Sequence, residues 1–199
     1  MKNLIVFNKP YGVICQFSPH EKHETLKQYI DLPGFYPAGR LDTDSEGLLL
    51  LTCDGALQTK IAHPRFKTEK TYWAQVEGRP SENTADAEAE RLRREKGIEM
   101  LQKGVDLGDF VSKPAKVRLL SDEETAKLWP RVPPIRERKS VPDFWLEIKI
   151  SEGKNRQVRR MTAKAGFPCL RLVRVAVGGI NVFDEGLALG EWQYAERLP

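Results

Sequence analysis

An uninterrupted aliphatic run, Leu48 to Leu51, constrains the fold of this chain more than any other feature. Side chains of a strand point alternately to its two faces, so a strand made of leucines needs apolar cover on both. We therefore predict an internal strand over Leu48–Thr52, closed by a turn at Cys53-Asp54-Gly55. The run is far too short to cross a membrane.

The remaining pattern predicts more strands than helices, in a mixed α+β arrangement. Further strands are expected at Leu4–Phe7, Gly12–Phe17, Thr68–Glu77, Phe144–Ile150 and Cys169–Val177, and helices at Thr25–Ile30, Ala56–Ala62, Ser81–Lys96 and Asn155–Ala165. In the third of these helices, an apolar stripe of Ala85, Ala89 and Leu92 would face the core, and Gly97 would end the helix. Ser121 to Glu124 has the capping-box pattern of a brief helix.

The length of 199 residues suits one domain, or two closely packed halves. Three widely spaced cysteines and three histidines fit reduced thiols rather than disulfides or a zinc site. The apolar stretch after Lys2 ends at Asn8-Lys9-Pro10, so no secretory signal is expected. The proline-rich segment Trp129–Pro142 is predicted to be an exposed loop.

Positive charge is concentrated in one part of the chain. The net charge is only +4, but residues 131–174 hold 12 basic and four acidic side chains, a net of +8 that leaves −4 elsewhere. Such a concentration is expected of a phosphate-binding surface, although a solvated basic face would give the same count. Within the helix at Asn155–Ala165, Val158, Met161 and Ala165 would face the core and three arginines would face away, namely Arg156, Arg159 and Arg160.

Three acidic side chains, Asp42, Asp44 and Glu46, have the spacing that opens a calcium loop. The twelfth position of that loop requires a glutamate and here is Cys53, so we reject a calcium site. A nuclease that holds a metal on the same three residues remains an alternative. No glycine-rich motif for nucleotide phosphates is present.

Asp42 itself lies just before the buried strand, two residues after Arg40. Residues two apart in an extended segment face the same way, and a carboxylate in a buried setting needs a cation to stay ionised. The residues alone also fit an ordinary turn carboxylate.

Four ordered segments resemble the bacterial ribosomal RNA pseudouridine synthases. They are the opening strand Phe7–Val13, the signature Ala38–Gly55, the strand Glu69–Tyr72 and the basic helix Glu152–Met161. The resemblance runs from about residue 3 to residue 180. It implies a bent, mainly antiparallel mixed sheet in two halves flanked by helices, with the active site in a central cleft.

The resemblance also implies a single catalytic domain over residues 1–199, which two subdomains could make up. Many relatives carry an N-terminal S4 RNA-binding module, and here the catalytic opening begins at the first residues. We therefore expect RNA affinity to come from the catalytic domain itself.

The roles of individual residues follow from the same resemblance. Asp42 matches the catalytic aspartate, Tyr72 a base-stacking tyrosine implicated in proton transfer, and Arg159 the cation paired with the carboxylate. Val158 matches an aliphatic residue that packs on the target base, and Arg40 an arginine that can fill the space of a flipped nucleotide. Further RNA contacts are expected from Lys70, Lys154, Arg156 and Arg160.

The implied function is the isomerisation of uridine to pseudouridine in ribosomal RNA, with large-subunit 23S RNA as the expected substrate. The reaction involves neither redox change nor net hydrolysis, so we expect no metal and no organic cofactor. We further expect a cytoplasmic monomer with no membrane partner. The alternative from another class is a non-catalytic RNA-binding or ribosome assembly factor with vestigial site residues.

Overall fold

The computed structural model describes residues 3–79, 84–135 and 141–195. Within them, nine strands form a mixed sheet that is accompanied by four helices, which confirms the predicted α+β class. The chain divides into two compact units, one made of Met1–Thr71, Ser151–Gly153 and Val173–Pro199, and the other of Tyr72–Ile150 and Lys154–Leu172. Among the described residues, no helix is long and apolar enough to span a bilayer.

The first unit is built around the leucine-rich strand. Its elements are β1 (Leu4–Lys9), β2 (Tyr36–Pro37), β3 (Glu46–Thr52), α1 (Gly55–Ala62), the last five residues of β7 (Cys169–Val177), β8 (Ile180–Asn181) and β9 (Trp192–Tyr194). All seven residues of β3 are buried. It pairs antiparallel with β1 and parallel with β7, so it is internal, as predicted.

The second unit contains most of β4 (Lys70–Glu77) and the first residues of β7. Its other elements are α2 (Thr84–Lys103), β5 (Lys116–Leu119), α3 (Asp122–Thr125), β6 (Asp143–Ile150) and α4 (Gln157–Lys164). Its strands follow the order β5-β6-β4-β7. The capping box predicted at Ser121 is present, since the Ser121 and Glu124 side chains each bond the backbone N–H of the other residue.

Two predicted strand assignments within residues 4–17 are wrong. Strand β1 continues through Asn8 and Lys9 instead of ending at Phe7, because these residues pair with Leu48 and Gly47 of β3. Residues 12–17 form no strand and make a single bridge, from Ile14 to Thr25. The segment instead curves against the loop that precedes β3, as described below.

Helix α2 differs from its prediction at its end and in its buried face. The proposed start at Ser81 lies outside the described residues, but the helix runs through Gly97 to Lys103. Its buried residues are Glu90, Gly97 and Leu101, whereas the predicted stripe of Ala85, Ala89 and Leu92 is exposed. A Cβ on Gly97 would come within 2.3 Å of the Phe167 ring, so the glycine provides the space for that ring.

The predicted basic surface is partly buried. Arg171 and Arg174 are only 7% and 3% exposed, because strand β7 carries both into the interior. Arg136, Arg138 and Lys139 lie outside the described residues. The charge count over residues 131–174 therefore overstates the number of cations that a phosphate could reach.

Candidate active site

Asp42 lies in a tight turn that leads into β3. The Ser45 backbone N–H donates to the Asp42 carbonyl over 3.0 Å, and Asp42 itself is half-buried. Two residues after Ser45, Gly47 adopts a φ of +99° where a Cβ would lie 2.4 Å from the Arg174 carbonyl oxygen. Only glycine fits there, and its absent side chain lets β7 approach the base of the Asp42 turn.

The segment after β1 holds this turn from the other side. The Gly12 N–H donates to the Thr43 carbonyl over 2.8 Å. The Cys15 thiol donates to the Leu41 carbonyl at 3.3 Å, and the Leu41 N–H lies 3.4 Å from the same sulfur. Residues 41 and 43 are thus fixed on both sides of Asp42, by the Cys15 thiol and by the Gly12 N–H.

Buried charges lie near this turn, and the sequence did not reveal that they are buried. The Arg174 guanidinium donates from Nε to the Leu48 carbonyl over 2.8 Å. The Lys9 ammonium donates to the Pro10 and Val13 carbonyls, each over 2.8 Å, and Lys9 has no exposed surface. The nearby carboxylate of Glu46 is 1% exposed. No periodicity distinguishes these residues, and only the pairing of β1, β3 and β7 brings them together.

Burial dominates the electrostatics of this group. It lowers the pKa of Lys9 to about 8; the neighbouring Cys15, Glu46 and Asp44 oppose this shift, and Arg174 adds to it. Burial and the Arg174 charge also lower the pKa of Lys70. These buried cations donate to backbone carbonyl oxygens, which offsets part of the cost of burying their charge.

The other residues predicted in the first unit differ in accessibility. Arg40 is exposed, and its carbonyl accepts from Arg174 Nη1 at 3.5 Å. Lys70 is buried, and its ammonium donates to the Thr68 carbonyl over 3.2 Å. A phosphate can therefore reach the Arg40 side chain, whereas Lys70 lies in the interior.

In the second unit, Tyr72 and Val158 are 9% and 3% exposed. Arg159 is half-buried on α4, and its Nη1 donates to the Cys169 carbonyl over 3.1 Å. The predicted core face of this helix is confirmed, since Val158, Met161 and Ala165 are all buried.

The predicted row of arginines on α4 is interrupted. Arg156 precedes the helix in a left-handed conformation with a φ of 47°, and it is exposed. Arg160 forms a two-pronged ion pair with the Asp109 carboxylate and also donates to the Leu107 carbonyl over 3.0 Å. Lys154 is exposed, with its ammonium 5.5 Å from the centre of the Phe110 ring. Arg160 thus already has an anionic partner within the chain.

The described residues include no group of three or more His, Cys, Asp or Glu side chains placed to hold a metal ion. Asp42, Asp44 and Glu46 are close in sequence but do not make such a group. The turn that carries Asp42 is held by hydrogen bonds at Leu41 and Thr43.

Known proteins are similar to this chain along most of its length. The family model described as RNA pseudouridylate synthase matches residues 3–164. Ribosomal large subunit pseudouridine synthase E of Vibrio vulnificus is 48% identical over 192 residues, which cover 96% of this chain and 74% of the relative. The protein of the same name from Xanthomonas axonopodis pv. citri is 52% identical over 177 residues, covering 88% and 85%.

Solved structures show the same likeness. A crystal structure of a pseudouridylate synthase superposes with a TM-score of 0.71 at 28% identity, over 97% of this chain and 70% of that one. An H/ACA ribonucleoprotein bound to a substrate RNA containing 2′-deoxyuridine is similar in fold alone, with a TM-score of 0.58 at 13% identity, over 96% and 59%.

Proposed function

The chain belongs to the RNA pseudouridylate synthase family and isomerises uridine to pseudouridine, and on this premise we propose that its substrate is a uridine of large-subunit 23S ribosomal RNA. The assignment of this activity rests on the match of the family model to residues 3–164. The substrate follows from the names of relatives that are about 50% identical. A cytoplasmic monomer, acting where ribosomal RNA is made, is part of the same proposal.

Asp42 is the proposed catalytic carboxylate. The reaction breaks the bond between N1 of uracil and C1′, turns the base, and joins C5 to C1′, after which the proton on C5 is lost and N1 carries one. An ionised carboxylate can attack C1′, remove the proton at C2′, or add to C6 of uracil. The bonds at Leu41 and Thr43 support this role, because they restrict the turn that presents Asp42.

The other roles are assigned by residue type and placement. Arg159 is the proposed cation that keeps the Asp42 carboxylate ionised, and loss of one partner of such a pair costs ~3–5 kcal/mol. Tyr72 is the proposed stacking partner of the flipped uracil. Flipping costs a few kcal/mol, and stacking on an aromatic ring returns ~1–3 kcal/mol.

Contacts to the rest of the RNA are assigned to exposed or partly exposed cations. Arg40, Lys154 and Arg156 are the exposed members of the predicted set. Arg160 would have to exchange Asp109 for a phosphate, and Lys70, whose ammonium is bonded to the Thr68 carbonyl, would act from the interior. Val158, packed on α4, is the proposed apolar neighbour of the base. Because the isomerisation changes no oxidation state, we propose that it needs neither a metal nor an organic cofactor.

The deciding experiment uses ribosomal RNA with tritium at C5 of uracil. We expect tritium release by the protein in the presence of a chelator, and none by Asp42→Asn, which keeps the shape of the side chain but cannot act as a base or nucleophile. The variant should bind RNA as the wild type does. Full release by Asp42→Asn would refute the assignment of Asp42, and loss of all release with the chelator would indicate a metal-dependent reaction. A wild-type protein that binds RNA without releasing tritium would support the assembly-factor alternative.

A further inference from the structure

A basic surface patch follows helix α1 in the first unit. Residues 55–68 contain three cations, Lys60, Arg65 and Lys67, and no acidic residue. All three are exposed. Asp54, which precedes this stretch, is engaged as the helix cap, because its carboxylate accepts from the backbone N–H groups of Ala56 and Leu57.

None of the three cations forms an ion pair across residues 3–79, 84–135 and 141–195. By contrast, Arg91 and Arg118 each contact glutamates, and Arg160 contacts Asp109. An exposed cation with no carboxylate beside it remains available to a phosphate.

An exposed aromatic ring lies among them. Phe66 is 44% exposed, and the Arg65 guanidinium stands over its ring at 4.5 Å from the centre. An aromatic side chain with cations around it is the arrangement on which proteins stack the bases of single-stranded nucleic acid. A buried hydrophobic role for Phe66 does not fit its exposure.

The backbone of the patch is firmly held. The His63 imidazole accepts the Arg65 N–H over 3.2 Å, and Pro64–Phe66 forms a 3₁₀ turn. The Thr68 hydroxyl ties the end of the turn back to α1 by donating to the Lys60 carbonyl over 3.2 Å. A surface that is rigid before binding loses less entropy when it takes up a ligand.

The patch adjoins the segment that leads to Asp42. The Cβ of Ala62, at the end of α1, lies 4.0 Å from the position of a Cβ on Gly39. The Gln58 side chain also donates to the Pro37 carbonyl over 3.0 Å. RNA that reaches the Asp42 turn can therefore extend over this surface without leaving the first unit.

We propose that Phe66, with Lys60, Arg65 and Lys67, forms a docking site for a single-stranded segment of the RNA substrate, in which one base stacks on Phe66 and the cations hold its phosphates. The inference rests on RNA being the substrate, as proposed above. It places RNA affinity outside residues 131–174, where the charge count had located it.

The test measures binding of a short fluorescent single-stranded oligouridylate to the full chain. Phe66→Leu removes the ring but keeps an apolar side chain, and should weaken binding about tenfold, within the range of one lost stacking contact. Phe66→Tyr should bind as the wild type does. Tyr36→Leu, which changes another exposed aromatic residue of the same unit, is the matched control and should have no effect.

The charges are tested by the salt dependence of the same binding. Lys60→Gln, or Lys67→Asn at its left-handed backbone position, should each reduce the slope of log affinity against log salt by about 0.7, as expected for one lost phosphate contact on a single strand. Lys27→Gln is the control for an exposed lysine elsewhere in the unit.

Unchanged binding by Phe66→Leu, together with unchanged slopes, would overturn the proposal. Equal losses on duplex RNA without any effect of Phe66→Leu would indicate a duplex-binding surface and overturn it too. Tritium release from ribosomal RNA distinguishes failure of the docking site from failure of the proposed function. Release by the wild type, with no binding defect in Phe66→Leu, refutes only the docking site. A binding defect without any wild-type release refutes only the proposed function.

Discussion

The buried ammonium of Lys9 leads to a prediction about stability and pH. Burial lowers the pKa of Lys9 from its ordinary value of 10.5 to about 8. Between these two values the unfolded chain holds a proton that the folded chain has lost, so the free energy of unfolding should rise with pH across this window. The difference between the two pKa values corresponds to about 3 kcal/mol, an order-of-magnitude figure.

The variant Lys9→Met isolates this contribution. It removes the charge but also leaves the Pro10 and Val13 carbonyls without their donor, which costs ~1–3 kcal/mol for each buried group at every pH. The change in the free energy of unfolding at neutral pH therefore combines a gain, from removing the buried charge, with a loss, from the carbonyls left without a donor. The dependence of this change on pH comes from the ammonium alone. Groups that titrate in the same range but lie away from Lys9 act equally in both proteins.

The measurement is urea unfolding of both proteins from pH 7 to pH 10.5. We expect the wild type to gain stability relative to Lys9→Met by about 2–3 kcal/mol across this range, with most of the gain above pH 8. A difference that stays constant with pH would refute the reasoning, because it would mean that the folded state keeps the Lys9 proton as readily as the unfolded chain.

Two further predictions concern other positions. Gly47→Ala should destabilise the protein by ~2 kcal/mol or more in urea unfolding, because its Cβ would collide with the Arg174 carbonyl. The control is Gly108→Ala, which has a similar φ but open space around it and so measures the backbone contribution alone. Equal losses of stability in the two variants would contradict the collision. Burial would raise the pKa of Glu90, but its two arginine partners on α2 outweigh it and hold that pKa at about 2. Glu90 should therefore stabilise the fold fully above about pH 4.5 and lose that contribution as the pH falls towards 2. The stability difference between wild type and Glu90→Gln should therefore shrink on acidification, and a difference that does not change with pH would count against the ion pairs.

The parts of the fold that sequence predicted correctly are those decided by local chemistry. The leucine run formed an internal strand because four consecutive leucines in a strand need apolar cover on both faces. Ser121 capped its helix because the cap needs only residues within one turn. Asp42 could be placed before a buried strand for the same reason, although its role came from the family resemblance.

The wrong predictions involve partners distant in sequence. Gly97 ends a helix by local rules, yet here Phe167, seventy residues later, packs where its side chain would be. Arg174 was counted among surface cations because nothing near it in the sequence shows that β7 pairs with β3 and carries it inside. Spacing alone does not reveal such contacts.

The division of the chain also sets the order in which the protein can be completed during synthesis. The first unit includes residues from Val173 onward, and these supply both the strand beside Gly47 and the second partner of β1, strand β9. Domains tend to fold from the N-terminus as they are synthesised, at ~5–20 residues per second. The Asp42 turn is synthesised together with its partners Gly12 and Cys15, but on a nascent chain it lacks the contact between Gly47 and β7 until residues 173–174 have been added.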